Sequence, residues 1–174
     1  MRRPIIGVMG AARATEQSVE TARELGRLLA ERGWIVLTGG RPAGIMAAAA
    51  AGAKEIGDSL TIGVLPDGGA AGQDIDIVIA TGMGDARNVI NVLTSDVLVA
   101  CAVEGPGTAS EVALALNAGK PVILLRADAA AVTFFRGLPA TGRLFECATP
   151  TEVVQLLEHE LDVARWELQA RVRG

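Results

Sequence analysis

Apolar residues in this chain come in short unbroken runs, and that grouping narrows the fold more than any other feature. The runs are IIGVM (5–9), WIVLT (34–38), LTIGVL (60–65), IDIVIA (75–80), DVLVACAV (96–103) and PVILL (121–125). They have strand length and do not alternate cleanly with polar residues, a pattern of strands buried on both faces. Such strands build a mostly parallel sheet with helices on both faces. Helical spacing fills the gaps. Val19, Ala22, Leu25 and Leu29 share one face of a helix over about 16–32, and Gly33 stops it. An alanine-rich helix follows from about 44 to 56, and further helices follow TGMGDARN and GPGTASE. Residues 126–149 are less regular, with a short strand near 144–147. The last helix spans about 151–170, with Pro150 and Thr151 at its start and a stripe of Val153, Leu157, Leu161, Ala164 and Leu168. The expectation is an α/β sheet of about six or seven strands, formed by one domain over residues 1–174.

Composition excludes several functions. Half the residues are hydrophobic, and 174 residues suffice for a substantial core. A net charge of -4 argues against a nucleic-acid or membrane-surface partner, and the lack of tyrosine argues against base-stacking platforms. Cys101 and Cys147 lie far apart with no metal or disulfide spacing, and the single histidine, His159, stands among charged residues of the last helix. No protein-held metal is expected. MRRPIIGVMG has too short an apolar stretch for a signal peptide, and no run approaches the roughly 20 apolar residues of a membrane helix. A cytoplasmic protein is expected.

In an open parallel sheet, ligands bind beyond the carboxyl ends of the strands. Three glycine-bearing loops fall there: 39–44, 82–84 and 105–107. Gly39 and Gly40 permit a tight strand-to-helix turn and could also present amides to a phosphate. In TGMGDARN, an N-cap at Asp85 would put Arg87 in the first helical turn, where a cation opposes the helix dipole and calls for an anion or the Asp85 carboxylate. In EGPGTASE, Thr108 and Glu111 have the spacing of a capping box. The same Glu111 suits an acid, a base or a sugar-hydroxyl contact beside a phosphate held by residues 105–108.

The ordered motifs LLAERGWIVLTGG, AGIMAAAAAGAKEIG, TIGVLP, TGMGDARNVINVLTSDVLVA and GPGTASEVALALNAGKPVILL resemble the SLOG superfamily. That superfamily has a Rossmann-like, doubly wound fold and includes the LOG phosphoribohydrolases once described as lysine decarboxylases. The resemblance covers about residues 4–125 and is closest to the molybdenum cofactor carrier branch. It implies a phosphorylated small-molecule ligand, molybdenum cofactor or a nucleotide-like relative, and a homo-oligomer, dimer or tetramer. It implies a binding set of Gly39, Gly40, Arg41, Gly82, Met83, Gly84, Arg87, Asn88, Gly105, Gly107, Thr108 and Glu111. In a LOG-type hydrolase, Arg87 and Glu111 would be catalytic.

The chain departs from both patterns. Val103 and Glu104 stand where the carrier branch has glycines, and Arg41, Pro42 and Ala43 interrupt the run after TGG. Glu104 brings negative charge to the turn, Pro42 removes an amide donor, and Arg41 offers a phosphate contact in exchange. Three functions follow, in order: a carrier or store of the cofactor, a nucleoside 5'-monophosphate phosphoribohydrolase, and a degenerate nucleotide sensor. The alanine-rich helix and the C-terminal stripe offer surfaces for subunit packing or for packing within the chain.

Overall fold

The computed structural model describes residues 2–173, with side chains described as far as Asp162. Seven parallel strands form one sheet in the order β4-β3-β2-β1-β5-β6-β7. The strands are β1 (Ile5–Met9), β2 (Ile35–Thr38), β3 (Thr61–Leu65), β4 (Ile77–Ala80), β5 (Val97–Cys101), β6 (Val122–Leu125) and β7 (Leu144–Cys147). The expected doubly wound α/β fold is present. Strand order reverses between β1 and β5, so the crevice for a ligand opens there.

Helices α1 (Glu16–Glu31), α2 (Gly44–Lys54) and α6 (Pro150–Arg173) cover one face; Leu25, Leu29, Ile45, Ala49, Val153 and Leu157 pack there against β1, β2 and β5. Helices α3 (Asn88–Thr94), α4 (Pro106–Asn117) and α5 (Ala129–Arg136) cover the other, with Val92, Val112, Leu116 and Phe135. Alanine-rich α2 packs on α1 of its own chain. A Cβ at Gly26 would sit 2.0 Å from Ala49 O, and one at Gly52 would sit 1.9 Å from Arg23 O, so the two backbones touch. Ala164 and Leu168 of the expected C-terminal stripe lie outside the residues whose side chains are described.

Three elements differ from expectation. β4 is an edge strand, and Ile77, Val78 and Ile79 are 44%, 48% and 38% exposed, not buried on both faces. It starts after Asp76, whose carboxylate is committed to Thr61 and Lys54. Residues 129–136 form a helix, started by Asp128 accepting from the Ala131 amide at 2.7 Å. β5 stops at Cys101 because Ala102 turns the chain at φ 48°. Cys101 itself is core, and burial pushes its thiol up to about 12.

Candidate functional site

The crevice is formed by the turn after β2, the turn after β5 and the turn entering α3. Gly82 and Gly84 adopt φ 65° and 55°, and a 3-10 turn over Gly84–Arg87 leads directly into α3. Asp85 is therefore not a helix N-cap; it lies exposed within the tighter turn, and Arg87 closes that turn. The Met83 amide donates to Thr81 Oγ1 at 3.2 Å and the Gly84 amide to Pro66 O at 2.9 Å. Those two amides are already bonded within the chain. What the turn delivers to the crevice is the Arg87 side chain.

Arg87 is 7% exposed. Its guanidinium occupies the space over Gly39: a Cβ there would come within 2.6 Å of Nη1 and 2.8 Å of Nη2. A side chain at position 39 would thus displace the guanidinium and Met46 Sδ, which lies 2.8 Å from the same Cβ. Gly40 is required by its φ of 72° and by Gly63, whose Cα would lie 3.0 Å from an added Cβ. Arg87 Nη1 lies 3.7 Å from Glu111 Oε1, an ion pair rather than a hydrogen bond. Its Nε is buried without a partner. Burial lowers the arginine's pKa, Glu111 and Asp85 raise it and Arg41 lowers it, yet a guanidinium stays protonated in such surroundings.

Glu111 does not cap its helix. Gly105 is the N-cap of α4 and Pro106 the first helical residue, so Thr108 sits inside the first turn and Glu111 a turn deeper. A proline's fixed φ suits the first helical position, and it starts the helix before threonine can cap it. Glu111 is 5% exposed, and its Oε1 accepts from Asn91 Nδ2 at 2.7 Å. Burial pushes its pKa up to about 7, against the pull of Asn91 and Arg87. A carboxyl so placed exchanges a proton near neutrality, the property required of a general acid or base.

The α4 N-terminus keeps free donors. Pro106 has no amide N–H, and among the described residues the amides of Gly107 and Thr108 have no acceptor. Nothing lies within 4 Å of a Cβ built on Gly105 or Gly107. Gly105 has φ -160°, open to any residue, and Gly107 is helical, so neither backbone geometry nor packing demands glycine at these two positions. Glu104 is exposed at the rim, with its amide bonded to Ala102 O at 2.9 Å. Arg41 and Pro42 are exposed on the opposite rim. A cavity of about 620 Å³ beside them is lined by Ala47, Ala51 and residues 70–75, and includes neither Arg87 nor Glu111.

The structure therefore brings Gly39, Arg87, Asn91 and Glu111 together and sets the 105–108 turn one helical turn above Glu111. Asn88 is engaged elsewhere: Nδ2 donates to Ser110 Oγ at 2.9 Å, and Ser110 Oγ donates to Gly107 O at 2.7 Å, tying α3 to the first turn of α4. Asn91 and Ser110 were not among the expected site residues. Asn91 was legible as a polar residue four positions after Arg87, on the same helix face. Among the described residues no group of three His, Cys, Asp or Glu could hold a metal, and no helix is long and apolar enough to cross a membrane.

Residues 3–154 match the SLOG cluster4 family, and the chain belongs to that family. It is 45% identical to the molybdenum cofactor binding protein from the phototrophic bacterium Rippkaea orientalis, with a TM-score of 0.88 over 92% of this chain and 99% of that one. It is 48% identical to the molybdenum cofactor carrier protein from Chlamydomonas reinhardtii, with a TM-score of 0.85 over 92% and 99% of the two chains. An uncharacterised protein of Archaeoglobus fulgidus is 44% identical over 122 residues, 70% of this chain and 79% of that one.

Proposed function

We propose that this chain binds and carries a phosphorylated cofactor of the molybdopterin type, molybdenum cofactor or a close relative. The phosphate sits against the free amides of Gly107 and Thr108, where the helix dipole favours an anion. Arg87 supplies buried positive charge beneath it, and Arg41 adds a second cation from the facing rim. The observation that carries this reading is an uncapped α4 N-terminus on the same helix as Glu111, whose buried ion-pair partner Arg87 has an Nε without a partner. The open glycines at 105 and 107 fit it, because a backbone that a ligand must approach cannot bear side chains. Glu104 is compatible with it: at the exposed rim its charge is screened by water and salt. The likeness to the two cofactor proteins, over nearly the whole length of each, supports the choice of cargo.

Protein loaded with molybdenum cofactor should retain pterin absorbance through gel filtration, and Arg87→Ala should lose it. Wild-type protein that elutes free of pterin after loading would remove the carrier reading. A homo-oligomer, dimer or tetramer, belongs to the same proposal: Ile77, Val78, Ile79, Met83, Val89 and Leu93 are large apolar residues exposed within one stretch. Light scattering that reports a monomer would count against it.

A second reading is favoured by Glu111, whose proton is exchangeable near neutral pH. A LOG-type phosphoribohydrolase would use it on the N-glycosidic bond of a nucleoside 5'-monophosphate. Incubation with AMP distinguishes the two. A carrier leaves AMP intact, whereas a hydrolase releases adenine and ribose 5-phosphate and loses that activity in Glu111→Ala.

A further inference from the structure

We infer that anion binding in this crevice is coupled to protonation of Glu111, so that the site takes up a proton with its phosphate and releases both together. This rests on the anion-site reading above and concerns how that site is regulated. The geometry begins with the two oxygens of Glu111. Oε1 receives both neighbours, the Asn91 amide at 2.7 Å and Arg87 Nη1 at 3.7 Å. Among the described residues both of these contacts fall on Oε1, and none falls on Oε2. A proton can therefore arrive on Oε2 without breaking any contact the carboxyl makes.

Position supplies the coupling. Glu111 lies four residues after Gly107 on α4, about 6 Å along the helix axis from the free amides. An anion held at those amides faces an ionised Glu111 that is itself 5% exposed. At such separations in low-dielectric surroundings a like charge moves a carboxyl pKa upward by more than one unit. The groups facing Glu111 are Arg87 from the 3-10 turn and Asn91 from α3; Arg41 from the β2–α2 turn and Asp85 act on Arg87 in turn. With Glu111 ionised, Arg87 is half-neutralised by its own partner. With Glu111 neutral, its full charge is available to the ligand. The free site already holds its proton about half the time at neutral pH, as burial has pushed the carboxyl up to about 7.

The sign follows from linkage. Binding raises the Glu111 pKa, so anion affinity is greatest below neutrality and falls as pH rises above 7. From pH 6 to pH 8 the fall is about fivefold for a one-unit rise and approaches tenfold for a larger one, with proton uptake of about 0.1 per anion at pH 6 and between about 0.4 and 0.9 at pH 8. Sulfate is the probe, because it does not titrate in this range as phosphate does. Calorimetric titration with sulfate in two buffers of different ionisation enthalpy, at pH 6 and pH 8, reads affinity and uptake together. Glu111→Gln should bind sulfate with a flat pH profile and no uptake, which separates Glu111 from every other titrating group. Carboxyl carbon NMR of the wild-type protein gives the same answer without a variant: the Glu111 pKa should rise when sulfate is added. Sulfate binding with a flat profile, or a Glu111 pKa indifferent to sulfate, overturns the coupling and leaves the anion site standing. Failure of sulfate to bind at any pH overturns the anion site and the coupling with it.

Discussion

The two ends of the sheet treat their polar groups in opposite ways. At the amino ends of the strands, Asp76 and Asp96 precede β4 and β5, and each is fully engaged. Asp96 accepts from the Ile5 amide at 2.8 Å and from both terminal nitrogens of Arg2. Asp76 accepts from the Thr61 amide at 2.8 Å and from Lys54 Nζ at 2.6 Å. Burial pushes both carboxyls up, but the bonds from Arg2 and Lys54 and from backbone amides win, and both pKa values end below the usual range. At the carboxyl ends the balance is reversed. Glu111 ends above its range, while Arg87 Nε and Asn91 Oδ1 are buried without partners and two α4 amides have no acceptor. The two carboxylates that fasten strands are satisfied within the chain, although Ser59 Oγ at the same end is also buried without a partner; the groups left wanting at the crevice are available to a ligand, at a cost in stability.

Four substitutions break or sharpen this contrast. The largest effect is expected at Arg87→Ala. Losing a charge-assisted contact should weaken sulfate binding about 10–100-fold in calorimetry, and folding stability should fall above neutral pH, where the buried Glu111 carboxylate loses its ion-pair partner. Glu111→Gln should stabilise the fold. A raised carboxyl pKa means the folded state holds the proton more tightly, so its contribution is present below about pH 4.5 and is lost as pH rises to about 7. Urea unfolding at pH 8 should show a gain on the order of 3 kcal/mol, and unfolding near pH 4 almost none.

Asp96→Asn should do the opposite at the other end. It costs about 2 kcal/mol at pH 7, with sulfate affinity unchanged. Depressed carboxyl pKa values give stability that is present above about pH 4 and lost as pH falls through the folded values, so the wild-type advantage should vanish in acid. The smallest effect is expected at Gly107→Ala. Its Cβ meets nothing in the chain, so thermal unfolding should show a gain of about 0.5–1 kcal/mol from helix propensity while sulfate affinity falls. Gly107→Ala losing stability without losing affinity would erase the distinction between the two ends.

The central strands were legible because a strand buried on both faces needs an unbroken apolar run. β4 carries such a run and yet lies exposed, since sequence alone does not say which strand ends at an edge. Helix α5 escaped notice because AAAVTFFR is short, opens with three alanines and gives little helical period. Glu111 was found, but in the wrong local role. Threonine with glutamate three residues on reads as a capping box until Pro106 is seen to start the helix earlier. Arg87 was found through an N-cap at Asp85 that the 3-10 turn displaces; its contact with Gly39 joins residues 48 apart and depends on packing that no local pattern encodes.

Native mass spectrometry of freshly purified protein, loaded with molybdenum cofactor and compared with Arg87→Ala, tests the carrier reading most directly. The expected spectrum shows an oligomer of wild-type subunits, each with the mass of one intact phosphorylated pterin, and bare subunits for the variant. Bare wild-type subunits after loading, or equal retention by Arg87→Ala, would contradict a phosphate site built on that arginine.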